Sequence, residues 1–304
     1  MDLLVALRIY VRVAEAGSFS AVAREMGTTQ PAVSRQVAAL EEHIGARLIQ
    51  RTTRSLTLTE DGRDLLGHAR RVLDTVEEAE TSVGRRNRVL GGLVRMATSV
   101  SFGRLHVAPR ISRLLERFPE LSVDLQMSDR PIDLVAEGLD LSIRIGSVVD
   151  SSLVARKIGS SRRITVASQG CIAEYGLPDH PSQLARLPCV IFTGVTNPDQ
   201  WRFDGPEGPV EVTVSGRFRT DNGEAVFEAV AAGLGFATVP TWFFLQDDTA
   251  RWWQPVLTQW EVPAGVIAAV YPSRRNLAPR TRAVIDFFVD EFRLDPIISA
   301  YGEA

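Results

Sequence analysis

The chain has 304 residues, of which 45% are hydrophobic and 23% are charged, and its formal net charge is −3. This length predicts about two or three domains, and the composition is that of a soluble globular protein. No apolar run is long enough to span a bilayer, the first residues lack the pattern of a signal peptide, and the slightly acidic balance does not by itself favour a nucleic-acid partner.

The two cysteines, Cys171 and Cys189, do not have the CxxC spacing of a metal or redox site. We therefore expect reduced thiols, no metal site and a cytoplasmic location, and a disulfide is the less favoured alternative.

The first helix is predicted over residues 2–16, because its apolar residues recur at spacings of three and four. This stripe consists of Leu4, Leu7, Val11 and Ala14. A short second helix is predicted to begin at Ser20, whose hydroxyl can cap it, and to end at Gly27. A third helix has Pro31 in its first turn, where the missing N–H costs nothing. Its buried stripe is Val33, Val37, Leu40 and Ile44.

Two helices joined by a three-residue turn are typical of a helix-turn-helix, whose second helix fits a DNA major groove. The pattern alone leaves an ordinary helical hairpin equally open. Residues 24–54 contain five arginines and three glutamates, so this stretch has a net charge of about +2. Residues 47–59 are predicted to form a β-hairpin wing with Arg51 and Arg54 near its tip, and the alternative is a solvated pair of arginines.

A long helix is predicted from Thr59, which caps it, with Glu60 and Asp61 in the first turn where the helix dipole favours negative charge. Apolar residues then repeat as a heptad seam, which predicts pairing with a partner helix; a helix packed on its own domain is the alternative. The seam consists of Leu65, Ala69, Val72, Val76, Ala79 and Val83. Residues 84–92 are predicted to be a hinge.

From residue 93 onward, strands alternate with helices, which predicts a parallel sheet with helices on its faces. Strands are predicted at 93–97, 121–127, 139–145, 163–168, 189–193, 218–220, 236–239 and 266–271. Helices are predicted at 102–118, at a short segment opened by Pro131, at 181–187, from Asp221 or Asn222 to Gly233, and at 280–292. Two lobes follow: lobe I is 91–162 with 266–304, and lobe II is 163–265, with crossings near 162–164 and 263–266.

The first sixty residues resemble the DNA-binding head of LysR-type transcriptional regulators. The resemblance rests on Ala16-Gly17-Ser18-Phe19-Ser20-Ala21, Thr29-Gln30-Pro31-Ala32-Val33-Ser34-Arg35-Gln36, Leu40-Glu41, Ile44-Gly45, Leu48, Arg51, Arg54 and Leu58-Thr59-Glu60-Asp61-Gly62. One departure is Ile49, where the family commonly has phenylalanine. Length and domain order extend the resemblance over nearly the whole chain.

The resemblance implies an N-terminal winged helix-turn-helix, mainly α, at 1–59, a linker and dimerisation helix at 60–90, and an α/β two-lobed effector domain like a periplasmic binding protein at 91–304. It implies a bacterial transcription regulator, not an enzyme, that binds double-stranded promoter DNA as a homodimer on an inverted repeat. A homotetramer is expected, and RNA polymerase is a candidate partner.

The DNA-binding residues that the resemblance implies are Thr29, Gln30, Pro31, Ser34, Arg35, Gln36, Arg51 and Arg54. Among them, Arg35 is the best candidate for guanine or phosphate, since its paired donors match the O6 and N7 of guanine.

Ligands in α/β lobes bind where strands end and helices begin, and free N–H groups and hydroxyls there suit a small anion. The candidate effector-binding residues are Ser99, Ser101, Ser128, Thr193 and Asn222. Hydroxyls at such junctions are more often helix caps, so the group is predicted as a region. Arg144 could pair with a carboxylate. We predict a small organic effector and no cofactor.

Two rival functions fit less of the chain. An enzyme would need a catalytic motif, and the sequence has no GxSxG, HExxH or P-loop. The pair Gly233 and Gly235 lies between a helix and a strand, which is the reverse of a dinucleotide-binding turn. A solute-binding protein would explain residues 93–304 but not the head or the heptad seam.

Overall fold

The computed structural model describes residues 1–51, 56–83, 90–146, 153–206, 208–244, 253–272 and 277–299. The chain divides into two compact units. The first contains residues 1–90, 133–140 and 276–279, and the second contains the remainder. No helix in these described ranges is long and apolar enough to cross a membrane.

The first unit is a helical domain with a two-stranded hairpin. Its helices are α1 (Leu3–Ala16), α2 (Phe19–Glu25), α3 (Gln30–Ile44) and α4 (Glu60–Val83). Strands β1 (Ile49–Arg51) and β2 (Leu56–Leu58) pair antiparallel, with Ile49 opposite Leu58. The predicted helix-turn-helix, wing strands and long helix therefore form.

Side-chain caps set where these helices begin. The Ser18 hydroxyl accepts from the N–H of Ala21, so α2 begins at Phe19, and the prediction of Ser20 as its cap is wrong. Starting there places Phe19 in the core, where it is only 8% exposed. The Thr59 hydroxyl accepts from the N–H of Gly62 at 2.9 Å, which confirms Thr59 as the cap of α4.

A single apolar core holds α1 to α4 together. It is formed by Ala6, Leu7, Ile9, Tyr10, Val11, Val13, Phe19, Val22, Ala23, Val33, Val37, Leu40, Leu48, Ile49 and Ala69. Leu4 and Ile44 were predicted to belong to the buried stripes of α1 and α3, but both are exposed, because Leu4 lies in the first turn of α1 and Ile44 is the last residue of α3, beyond the core. Two polar contacts join the elements. The Tyr10 hydroxyl donates to the carbonyl oxygen of Gly62 at 2.6 Å, and a Glu41 carboxylate oxygen accepts from the N–H of Leu48 at 2.8 Å.

Tyr10 supplies a test of this core. Burial, reinforced by the charge of Glu41, raises the pKa of Tyr10 to about 12. The phenol of the unfolded chain titrates near 10, so the folded state holds the proton more tightly between about pH 10 and 12. The stabilisation is therefore complete below about pH 10 and is lost as the pH rises toward 12.

We expect Tyr10→Phe to lower the free energy of unfolding by about 1 kcal/mol at neutral pH, because a buried hydrogen bond is lost. The variant should also lose less stability than the parent chain between about pH 10 and 12. Urea unfolding across this pH range measures both effects. Parallel pH profiles for the two proteins would contradict the assignment.

Helix α4 packs on its own unit over its first turns. Leu65 is half-buried against the core and Ala69 is 1% exposed within it, so these two seam residues face their own domain. Further along, the Arg70 and Arg71 guanidinium groups donate to the carbonyl oxygens of Glu137 and Val135. These bonds hold the segment 133–140 within the first unit.

The second unit is an α/β domain. Its strands are β3 (Gly91–Thr98), β4 (Glu120–Met127), β5 (Leu141–Ile145), β6 (Leu153–Ser168), β7 (Pro188–Phe192), β8 (Gln200–Gly205), β9 (Gly208–Thr213), β10 (Ser215–Thr220), β11 (Ala237–Pro240), β12 (Trp253–Val256) and β13 (Val262–Pro272). Its helices are α5 (Val100–Phe102), α6 (Ala108–Arg117), α7 (Gln169–Tyr175), α8 (Gly223–Ala231), α9 (Thr241–Phe244) and α10 (Pro279–Leu294), with a π-helical turn at Gly103–Val107 and a 3₁₀ turn at Pro181–Arg186.

The main sheet is mixed rather than parallel throughout. Its order is β11-β6-β13-β5-β3-β4, with β12 also on β6. Strand β3 is parallel to β4 and β5, whereas β13 is antiparallel to β5 and β6. The long strands β6 and β13 run through the predicted crossings at 162–164 and 263–266, so both proposed lobe boundaries fall inside continuous strands.

Other predictions in this unit need correction. Pro131 does not open a helix, because the segment after it is a turn in which the Asp133 carboxylate accepts from the N–H groups of Val135 and Ala136. Strand β6 begins at Leu153, ten residues before the predicted start. Five elements were not predicted: β8 and β9, which form a hairpin, and α7, α9 and β12.

Candidate functional site

The N-terminal half of α3 presents a polar surface. Thr29, Gln30, Pro31 and Arg35 are exposed, and Ser34 and Gln36 are half-buried. The opposite side of the helix is held by Val33, Val37 and Leu40, each at most 1% exposed. The structure therefore brings all six predicted α3 residues to one end of a rigidly supported helix.

The arginines of this unit differ in whether a carboxylate neutralises their charge. Arg12 is occupied by two carboxylates, at 2.6 Å from Glu15 and 2.8 Å from Glu25. Within the described part of the chain, no acidic side chain forms an ion pair with exposed Arg35. Arg35 can therefore give its full set of donors to an external acceptor.

Of the two wing arginines, only the backbone of Arg51 is among the described residues. Arg51 ends β1 opposite Leu56, and its side chain lies outside the described set. Arg54 lies outside the described residues. The later part of the heptad seam is similar: Val72 is 42% exposed and Val76 half-buried, whereas the side chains of Ala79 and Val83 lie outside the described set.

A cavity of about 360 Å³ lies within the second unit, at the low end of the range for ligand pockets. It is lined by the ends of β3 and β7, the residues that follow β4, and the first turns of α5, α8 and α9. Residues of β5, β6, β11 and β13 complete the lining. Strand ends thus meet helix starts here, as the sequence predicts.

Three of the five predicted effector-binding residues line this cavity: Ser99, Ser101 and Ser128. Thr193 and Asn222 are not among the lining residues. The amide of Asn222 is used inside the protein, because its oxygen accepts from the N–H of Ala225 at 2.9 Å and its nitrogen donates to Asp129 at 2.7 Å. The backbone N–H of Thr193 donates to the carbonyl oxygen of Thr220.

An aromatic wall of the cavity was missed by the sequence reasoning. It consists of Phe192, Phe227, Trp242 and Phe243. Trp242 is 5% exposed and is fixed by its ring N–H, which donates to the Ser161 hydroxyl at 2.9 Å. Its ring meets Phe102 edge-on at 5.1 Å. No short-range sequence signal places these rings together, because they come from β7, α8 and α9.

The charged lining is mainly cationic. Among the described lining residues, three are cationic, Arg130, Arg144 and Arg163, and one is acidic, Asp129. Asp129 is satisfied, since its carboxylate accepts from the N–H of Val100 and from Asn222. The predicted Arg144 does line the cavity, where it donates to the carbonyl oxygen of Ile132 at 2.7 Å.

Arg163, which the sequence reasoning did not select, is a half-buried cation of this lining. One nitrogen, Nη2, donates to the carbonyl oxygen and hydroxyl of Thr238 at 3.2 and 2.9 Å. Its Nε is buried and has no hydrogen-bond partner among the residues that the structure describes. Burial lowers the pKa of the Arg163 guanidinium.

Neither cysteine nor metal chemistry is indicated in the described ranges. Cys171 and Cys189 are buried free thiols, and burial raises the pKa of Cys189 to about 12. Such thiols are poor nucleophiles and ligands. Within the same ranges, no three His, Cys, Asp or Glu side chains are grouped as metal ligands would be.

Two family models match the chain. "Bacterial regulatory helix-turn-helix protein, lysR family" covers residues 4–63, and "LysR substrate binding domain" covers residues 87–293. The curated relatives include the HTH-type transcriptional regulator DmlR of Escherichia coli (strain K12), 34% identical over 96% of this chain and 95% of that protein. PtxR of Pseudomonas aeruginosa is 31% identical over 98% of this chain and 95% of its own length.

Solved structures agree with the sequence relatives. CrgA, a LysR-type transcriptional regulator from Neisseria meningitidis, matches with a TM-score of 0.59 and 30% identity over 94% of this chain and 97% of that one. The full-length virulence activator AphB of Vibrio cholerae matches with a TM-score of 0.57 and 26% identity, over 95% and 99% of the two chains. The chain therefore belongs to the LysR family of DNA-binding transcriptional regulators, with an N-terminal helix-turn-helix and a substrate-binding effector domain.

Proposed function

We propose that this regulator binds an inverted repeat in promoter DNA as a homodimer, with α3 of each subunit in a major groove. We further propose that a small molecule in the cavity of the second unit changes this binding and so changes transcription. The observation that carries the proposal is the exposed polar end of α3 above a core that holds its other side.

The side chains on α3 have the chemistry that base edges require. Arg35 can donate two parallel hydrogen bonds to guanine, and Gln30 and Gln36 have amides that match adenine. Pro31 fixes the backbone of the first turn of the helix. The N–H group that proline lacks would have no partner within the helix at this position. The helix N-terminus itself suits a phosphate.

A dimer is supported by apolar residues that the described part of the first unit leaves in solvent. Leu3, Leu4 and Val5 of α1 and Val72 of α4 are 36% to 42% exposed. Residues 24–54 of one subunit have a net charge of only about +2. Two subunits acting together would therefore attract the phosphates of DNA more strongly than one. Pairing of effector domains into a tetramer, contact with RNA polymerase and a cytoplasmic location belong to the same proposal.

Selection from a randomised duplex library tests this function. The full chain should enrich one sequence family with two inverted half-sites about 10 base pairs apart, centre to centre, or a multiple of that distance. The affinity for the selected duplex should fall steeply with salt, as phosphate contacts require. A library that stays unselected after repeated rounds would overturn the proposal, as would a selected site without two-fold symmetry.

A further inference from the structure

We propose that the cavity of the second unit binds a small organic acid with an apolar, preferably aromatic, body, and that Arg163 holds its carboxylate. This inference rests on the proposed function, since it names the ligand class of the effector site. The evidence for it is a set of buried polar atoms that have no hydrogen-bond partner among the described residues.

Three buried polar atoms of the lining have no hydrogen-bond partner within the described part of the chain: Nε of Arg163 and the hydroxyl oxygens of Thr98 and Ser101. The residues Thr98 and Ser101 are each 3% exposed. Buried polar atoms are nearly always hydrogen-bonded, so three in one cavity indicate that something else bonds them. A ligand with acceptor oxygens would satisfy them.

The charge at this site selects an anion. A buried guanidinium without a counter-ion is costly, and no described acidic side chain pairs with Arg163. The nearest protein partner is the neutral Thr238, which uses only Nη2. The other donors remain for a ligand, and the fork of an arginine matches a carboxylate.

A second feature adds positive potential. Gly223 begins α8 and lines the cavity, and a side chain at this position would approach the Ser101 hydroxyl at 3.1 Å. The nine-residue helix α8 therefore begins beside a hydroxyl that has no hydrogen-bond partner among the described residues, and of its first N–H groups that of Ala225 is already capped by Asn222. This position suits another oxygen of the same ligand.

The rest of the lining selects the body of the ligand. Phe192, Phe227, Trp242 and Phe243 form one wall, with Val226 and Ile143 also in the lining. Flat apolar groups gain most from such a wall. A singly charged carboxylate is also cheaper to bring into this apolar space than a doubly charged phosphate, although arginine can bind both.

Calorimetric titration of the full chain tests the ligand class with four probes: benzoate, phenylacetate, the neutral amide benzamide, and inorganic phosphate. We expect the two acids to bind and benzamide to bind more weakly by about tenfold or more, because it cannot pair with a cation. Phosphate should bind more weakly than either acid. Equal affinity for benzamide, tighter binding of phosphate, or no binding by either acid would overturn the proposal.

Variants assign the anion to Arg163. Arg163→Met should weaken benzoate binding by about 10- to 100-fold and leave benzamide binding unchanged. Arg163→Lys keeps the charge and should recover part of the affinity. Arg162→Met is the matched control, since this neighbouring arginine is exposed on the other side of β6, and its benzoate affinity should equal that of the parent.

Thermal unfolding without ligand provides a second readout. Because Arg163 is half-buried with a buried Nε, and no described acidic side chain pairs with it, Arg163→Met should unfold at a temperature no lower than the parent chain. A clear drop in this temperature, together with unchanged benzoate affinity, would make Arg163 a structural residue and overturn the assignment. DNA selection on the same preparations separates the two proposals: a selected inverted repeat without acid binding removes only the ligand class.

Discussion

Replacing Arg35 with alanine is expected to weaken binding to the selected operator by at least about 30-fold. Each subunit of the proposed dimer would lose one contact worth about 1–3 kcal/mol, so the two losses together reach at least about 2 kcal/mol. Arg35 is exposed, and no described acidic side chain pairs with it, so its removal should leave the stability of the first unit unchanged. Fluorescence anisotropy with labelled operator measures the loss.

Two variants separate base reading from charge. Arg35→Lys keeps the charge but loses the paired donors, so it should retain binding to unrelated DNA while losing preference for the operator. Arg202→Ala, on β8 in the second unit, makes the same charge change away from the helix-turn-helix and should bind the operator normally. Normal operator affinity in Arg35→Ala would exclude Arg35 from base reading.

Gly216→Ala is expected to cost the second unit about 3 kcal/mol or more of unfolding free energy. Gly216 lies in β10, where a Cβ atom would come within 1.6 Å of the Cys189 carbonyl oxygen and 2.7 Å of its carbon. Both of these are backbone atoms of β7, so no side-chain rotation relieves the clash, and the two strands must separate. Because Phe192, Gly194 and Val195 follow from β7 into the cavity lining, ligand binding should weaken as well.

Gly170→Ala is the matched control for this change. Gly170 lies in α7, and a Cβ atom there would have nothing within 4 Å. Alanine favours a helix over glycine by up to about 1 kcal/mol, so this variant should be as stable as the parent or slightly more stable. Urea unfolding of both variants decides the question, and similar midpoints would show that β10 tolerates the added atom.

The helix-turn-helix was predictable because its signals are local. The stripes of α1 and α3 recur every three or four residues, and Gly27 and Gly45 both adopt the left-handed backbone that ends such helices. The start of α2 was placed two residues late because Ser18 and Ser20 have equal capping chemistry. Packing of Phe19 into the core decides between them, and this is a tertiary effect.

The strand pattern of the second unit was harder to interpret. Strand β6 pairs with β13 along its first half and with β11 and β12 along its second, and its exposed residues 155–157 interrupt any simple alternation. The β8–β9 hairpin did have a readable signal. Trp201 and Phe203 alternate on one strand and Val210 and Val212 on the other, around a glycine-bounded turn.

The cavity shows where sequence reasoning ends. Hydroxyls at strand ends were found because a strand end followed by a helix start is a local pattern. Arg163 was missed because its place in the lining depends on the antiparallel pairing of β6 with β11, in which Pro240 is opposite Arg163. The register between two strands that are distant in sequence cannot be recognised from either segment alone.

The central claim is that α3 reads DNA sequence, and the most direct test is a specificity ratio. Dissociation constants of the full chain would be measured at physiological salt for the selected operator and for a scrambled duplex of the same length and composition. We predict that the operator binds at least about 1,000-fold more tightly, as sequence-specific regulators do. A ratio near one, with binding to both duplexes lost together as salt rises, would show phosphate attraction alone and contradict the account.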